Sequence, residues 1–170
     1  MRRFTYVIVV LCLGAALAAG ILVGWQCRGG TLRNPLILDG IDNETYEEIM
    51  RTKNFDGITP RTEREMLDKI HEMANTIIVA VDGKRWGFIK ITEELVNLLM
   101  LEVVAARHFG EPYEHEDMYI DILTRWKDRD FTEGVEDHNR PWTLLGGTVG
   151  RATDLQPEVK EEMRERGLMD

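Results

Sequence analysis

The chain has 170 residues, 44% of them hydrophobic and 30% charged, and its 30 acidic against 21 basic side chains give a net charge of −9; a length of this order allows one domain, rarely two. Two cysteines make neither a disulfide scaffold nor a four-thiolate zinc site, and an acidic chain without a basic stripe repels the phosphates of nucleic acid. No nucleic-acid partner is expected, and no cofactor motif or metal-ligand set stands out.

The first predicted element is apolar. From Phe4 to Trp25 there are 22 residues without a charge, about 33 Å of helix at roughly 1.5 Å per residue, against a hydrocarbon core of about 30 Å. Arg2 and Arg3 precede the run, and Tyr6 and Trp25 lie where an interfacial aromatic belt would put them. Residues 1–27 therefore read as a single-pass anchor in the cell membrane, its basic N-terminus cytoplasmic and the bulk of the chain extracytoplasmic. The competing reading is a signal peptide cut after Ala16-Leu17-Ala18, which would leave a mature chain starting on the apolar stretch Ala19 to Trp25. A lipoprotein is disfavoured because Trp25 and Gln26 are bulky neighbours for Cys27. One face of the span carries Ala16, Gly20, Gly24 and then Cys27, a small-residue stripe of the kind that lets two helices pack closely in lipid. It suggests a homodimer; the alternative is a monomeric span with an unpaired thiol.

Residues 28–40, with Arg28-Gly29-Gly30 and Asn34-Pro35, read as a stalk, and residues 41–170 as the outer domain, which holds no cysteine. Its expected class is mainly α. Asp42 or Asn43 caps a short acidic helix with Tyr46, Ile49 and Met50 on its apolar edge, and Asn54-Phe55-Asp56-Gly57 turns the chain. Thr62-Glu63-Arg64-Glu65 is a capping box for a helix to about Asn75. Residues 77–91 carry an Asp82-Gly83 turn between β-branched and aromatic runs, which predicts a β-hairpin, although the same apolar run could extend the preceding helix. Thr92 caps a helix ending at Gly110, and another runs from about Tyr113 to Asp128. Phe131, Val135, His138, Trp142 and Leu145 then form a helical stripe that Pro141 is expected to kink or break, and Gly146-Gly147 ends it. Pro157 opens a last helix to about Arg166.

The segment from Lys127 to Ala152, with Asp130-Phe131, Val135-Glu136-Asp137-His138-Asn139, Trp142 and Gly146-Gly147-Thr148-Val149-Gly150, resembles a family of membrane-anchored proteins of spore-forming Gram-positive bacteria, known only as a domain of unknown function. Trp86-Gly87 and His71-Glu72-Met73 are similar as well, so that the resemblance covers about residues 62–166. It implies no activity.

The chemistry must be sought in the residues. His71-Glu72 opens like a zinc-protease helix, but Asn75 stands where the second histidine is needed. Glu111, His115 and Asp117 read as a solvated helix start before they read as a metal site. Asp130, Glu133 and Asp137 share a helical face and could flank a glycosidic bond if their pKa values were split. The chain has no serine, Cys27 has no neighbouring histidine, and the Gly146 to Arg151 segment lacks phosphate-loop spacing. The candidate binding patch is Glu136, Asp137, His138, Asn139 and Trp142, with His138 either a core histidine or a pH-sensitive contact. These features favour an extracytoplasmic binding or regulatory protein acting on an envelope partner. The alternative is a cell-envelope hydrolase using Glu136, Asp137 or His138.

The anchor face generates a first test. If two spans pack along Ala16, Gly20 and Gly24, non-reducing electrophoresis of expressing cells should show a disulfide dimer that vanishes in Cys27→Ser and weakens in Gly24→Leu. A band indifferent to Gly24→Leu would mean random collision of thiols.

Overall fold

The computed structural model of the chain describes residues 40–170; the predicted anchor, its small-residue face and most of the stalk lie outside them. The described residues form six helices and two short strands. In order they are α1 (Asn43–Thr52), α2 (Glu63–Ala74), β1 (Ile78–Ala80), α3 (Glu93–His108), α4 (Glu116–Lys127), α5 (Gly134–Leu144), β2 (Ala152–Leu155) and α6 (Pro157–Glu165). Among the described residues no helix is long and apolar enough to cross a membrane.

Local chemistry starts these helices where the caps predict. Asp42 accepts from the Thr45 backbone N–H at 2.9 Å. Thr62 and Glu65 exchange side-chain to backbone bonds at 2.8 and 3.3 Å, and Thr92 accepts from Leu95 N–H at 3.3 Å, satisfying donors that a helix start leaves open. Pro157 occupies the first turn of α6, where a missing N–H costs nothing.

Helix α3 is the central element. Val96, Leu98, Leu99, Met100, Leu101, Val103, Ala105 and Ala106 are all buried, which covers most of its circumference and is what a helix surrounded by others requires. α1 and α4 pack on it, while α2 packs on α5. The apolar interior runs through both pairs as one cluster from Ile41 to Met163. Polar ties reinforce the seams. Arg61 grips the buried Glu102 of α3 with two side-chain bonds of 2.5 and 2.7 Å, a fork that satisfies both carboxylate oxygens.

The expected hairpin over residues 77–91 does not form. β1 pairs antiparallel with β2 (Ile78 with Leu155, Val79 with Asp154, Ala80 with Ala152), and Thr153 is the extra residue of a bulge. The Trp86 to Ile91 segment cannot serve as partner because its backbone is committed elsewhere: the Trp86 carbonyl accepts from the Asn75 side chain at 2.8 Å, and Ile89 N–H donates to the Glu72 carbonyl at 3.2 Å. The Asp82-Gly83 turn is present, but it delivers the chain back onto the end of α2 instead of alongside β1.

The predicted break at Pro141 and the predicted stripe of α5 also change. Pro141 lies inside the helix without ending it, and Leu145 N–H still donates to the Pro141 carbonyl at 2.9 Å. The ring removes one donor, and its buried face repays that loss with packing. The buried side of α5 is Gly134, Asp137, His138 and Pro141, one residue's rotation from the predicted stripe, so Val135, Trp142 and Leu145 are only half-buried. The cause is Gly134. A Cβ there would stand 2.7 Å from Leu155 Cδ2 and 2.8 Å from Ile77 Cδ1, so the helix approaches the sheet through its smallest residue.

Gly134→Val should therefore force Ile77 and Leu155 off their positions and cost about 1–3 kcal/mol, the usual range for overpacking. Chemical denaturation checks this; an unchanged midpoint would mean that α5 can retreat from the sheet freely.

Candidate functional site

Helix α5 carries the predicted patch, and the buried and exposed faces of the helix divide the patch in two. Asp137 and His138 face the interior and are fully buried. Glu136 is exposed, Asn139 half-buried, and Trp142 half-buried over the turn that follows the helix. The five residues thus do not converge on one surface.

Asp137 sits against α4. Its carboxylate is paired with the Arg125 guanidinium and accepts from Trp126 Nε1–H at 2.9 Å, while Arg125 also reaches Asp121 at 2.7 Å. Burial pushes the Asp137 carboxyl up to about 6, against the downward pull of Arg125 and the indole N–H. At neutral pH it is a carboxylate with both oxygens occupied. That is a structural ion pair joining α4 to α5, and it offers nothing to a glycan.

His138 sits against α2. Its Nδ1 lies 3.1 Å from Asn139 Oδ1 and its Nε2 3.2 Å from Asn75 Oδ1, with the His71 ring 4.6 Å away. Both amides are oriented by other bonds. Asn139 Nδ2 donates to the Ala152 carbonyl at 3.0 Å and its oxygen accepts from Ala152 N–H at 2.9 Å, and Asn75 Nδ2 donates to the Trp86 carbonyl. A neutral ring can donate to one of the two oxygens only. Burial nonetheless dominates and holds the imidazole down to about 4; the Asn139 oxygen opposes that shift, and His71 and Arg85 add to it. His71 is itself held below its ordinary value by burial. The core reading of His138 is the one the geometry supports.

Trp142 does not enter the core. Its Nε1–H donates to the Val149 carbonyl at 2.8 Å, and its ring lies over Gly147, where a Cβ would meet ring atoms at 2.3 Å. The Gly146-Gly147 pair is a helix stop that lets this indole clamp the loop leading into β2.

The outward side of α5 forms one wall of an open groove of about 810 Å³. Glu136, Asn139, Arg140, Thr143 and Leu144 line that wall, the end of α3 and the start of α4 supply Arg107, Glu114, His115 and Asp117, and Tyr113 and Met118 lie at its base. Of this lining the sequence points to Glu136 and Asn139 on α5 and, separately, to His115 and Asp117 at the start of α4; Arg107, Arg140 and Arg151 carry no signal in the sequence, and neither does the meeting of the two segments. The segment entering α4 is fixed by the start of α2 and the residue before its cap: Tyr113 Oη–H donates to the Arg61 carbonyl at 2.7 Å, and Glu63 accepts from Glu114 N–H at 2.9 Å. Arg107 pairs with Glu116 across the floor. Among the described residues no three histidine, cysteine, aspartate or glutamate side chains gather as metal ligands.

The family model that matches this chain covers residues 70–165, from the middle of α2 to the end of α6. The chain belongs to DUF6241, a family of unknown function. No curated protein and no solved structure matches it. The DUF6241 region contains the complete His138, Asn75 and Asn139 network, the Asp137 pair and β2, and leaves α1 outside; it is slightly shorter than the span of the resemblance read from the sequence.

The buried histidine generates a pH prediction. Because the folded pKa of about 4 lies below the ordinary 6.5, His138 contributes stability that is fully present above pH 6.5 and is lost as pH falls through 4. Asp137, raised from 3.8 to about 6, acts in the opposite sense over nearly the same window. Comparing wild type with His138→Asn isolates the histidine: the stability gap should widen by about 3 kcal/mol between pH 4 and 6.5. Denaturant titrations at several pH values read it, and a gap independent of pH would show that the ring charges inside the fold.

Proposed function

We propose that this chain is a membrane-anchored extracytoplasmic binding protein, and that the groove between α3, α4 and α5 receives a segment of an envelope protein. The observation that carries this reading is the separation of roles on α5. Groups capable of acid–base chemistry, Asp137 and His138, are buried and occupied by neighbours, whereas the open side of the same helix presents polar side chains to a groove large enough for several residues of peptide. Charge is distributed across that groove. Glu114, Asp117 and Glu136 share the lining with Arg107, Arg140 and Arg151, a mixture suited to a ligand bearing both signs.

A hydrolase reading built on Asp137 or His138 would need those buried side chains to reach a glycan. The anchor itself rests on the uncharged run Phe4 to Trp25, and the resemblance to membrane-anchored proteins of spore-forming bacteria agrees with it.

A photo-reactive phenylalanine analogue at Thr143 should yield an adduct with one envelope polypeptide in the native cell, and Arg151→Glu should abolish it. The same analogue at Thr124, an exposed α4 position outside the groove lining, should yield none. Equal labelling from both positions would remove the groove as a binding site.

A further inference from the structure

The loop between β1 and α3 presents large apolar side chains to solvent. Val81, Trp86 and Phe88 are 70%, 60% and 59% exposed. They belong to one corner of the domain. Val81 N–H donates to the Arg151 carbonyl at 3.0 Å, Gly150 N–H donates to Asp82 Oδ2 at 3.1 Å, and a Cβ on Gly150 would stand 3.7 Å from the Trp86 ring. The exposed Val149 therefore adjoins the same patch.

The fold holds this loop firmly. Arg85 Nη1 donates to the Asn75 and Ile78 carbonyls, both at 2.7 Å, Asn75 fixes the Trp86 carbonyl, and Asp82 accepts from Lys84 N–H at 3.0 Å. Gly87 has φ +74° and no room for a Cβ against Glu72. With the Trp86 carbonyl and the Ile89 N–H bonded to the end of α2, the loop is a braced support from which the aromatic rings project. Its charge runs against that of the chain. Lys84 and Lys90 are exposed, Arg85 stacks 5.3 Å from the Phe88 ring, Arg151 lies alongside, and the one acid between Val81 and Thr92 is Asp82, whose two oxygens are turned to backbone N–H groups.

We propose that this corner is a membrane-contact surface, in which Trp86, Phe88 and Val81 enter the headgroup region of an anionic phospholipid leaflet and Lys84 and Lys90 lie among its phosphates. Indole and phenyl rings on a polar support partition to the membrane interface, and basic side chains beside them are drawn to anionic lipid. This inference rests on the anchor reading, which keeps the domain at a bilayer: the chain from Trp25 to Gly40 spans at most about 50 Å at roughly 3.5 Å per residue. It differs in placing a second contact on the domain itself, on a loop outside the groove lining.

The test uses the full chain with Cys12→Ser, Cys27→Ser and Val81→Cys, carrying an environment-sensitive fluorophore at position 81, in nanodiscs of phosphatidylcholine with or without phosphatidylglycerol. The expected result is a blue-shifted emission, quenched by spin-labelled lipid, in anionic discs and not in neutral ones, with Trp86→Ala/Phe88→Ala restoring the water-exposed spectrum. A label at Glu165→Cys should stay water-exposed throughout. Water-like emission at position 81 while the chain co-elutes with anionic discs overturns the contact and leaves the anchor standing. A chain that fails to enter discs overturns the anchor; the contact then stands only if the same chain binds phosphatidylglycerol vesicles through Trp86 and Phe88. An equal shift in neutral discs, or one in lipid-free detergent that grows with protein concentration, assigns the patch to uncharged lipid or to a second copy and overturns the proposal.

Discussion

Asn75, at the end of α2, is buried among apolar neighbours, and its side chain must find partners there or cost the fold several kcal/mol. It finds the His138 ring on one side and the Trp86 carbonyl on the other. His138 in turn faces Asn139, which holds both backbone groups of Ala152. One continuous polar chain thus ties α2, the Trp86 loop, α5 and β2 together. Its members are useful only in concert, since removing any one strands a buried donor or acceptor on the next. The conformation of the Trp86 loop and the seating of β2 beside α5 meet this condition, and Gly134 gives α5 the close approach to the sheet that it requires.

The Asp137 pair performs a comparable task on the adjoining part of the same buried face. Arg125 and Trp126 close on its carboxylate, so that α5 is pinned to α4 there and to α2 by His138. A helix fixed through two adjacent residues cannot roll, and its outward residues are consequently held in a defined orientation toward the groove. Side chains held in this way have little freedom left to lose on contact with a ligand.

Much of the helical framework was legible in the sequence because its signals are local. Thr62 with Glu65, Thr92, and Pro157 mark helix starts through bonds spanning only a few residues. β2 was not legible: Ala152 to Leu155 has no pronounced alternation and becomes a strand by meeting Ile78 and Ala80 from far along the chain. The hairpin expectation failed for a related reason, as a turn signal at Asp82-Gly83 says nothing about where the following segment spends its hydrogen bonds. Within the candidate patch, His138 was identifiable as a residue on a buried face, but Asp137 was not, because a carboxylate enters a core only when an arginine from another helix accompanies it. The groove was largely hidden, since its Arg107, Glu114 and Arg151 belong to separate segments that only the packing of α3, α4 and α5 assembles.

The pairing of β1 with β2 has a kinetic consequence. Every residue from α3 through α5 lies inside the loop that this two-strand sheet closes, and such closure has to wait until entropy has been spent on ordering that loop. As the chain is synthesised, Ile77, Ile78 and the Asn75 side chain emerge long before Ala152 and Leu155 exist to cover them. The helical pairs can associate early, but β1 keeps an open edge and an unmet polar chain until the last part of the domain arrives. A polypeptide built this way acquires its final packing late and cooperatively, and a nascent chain stopped before β2 would expose a sticky strand edge of the kind that chaperones recognise.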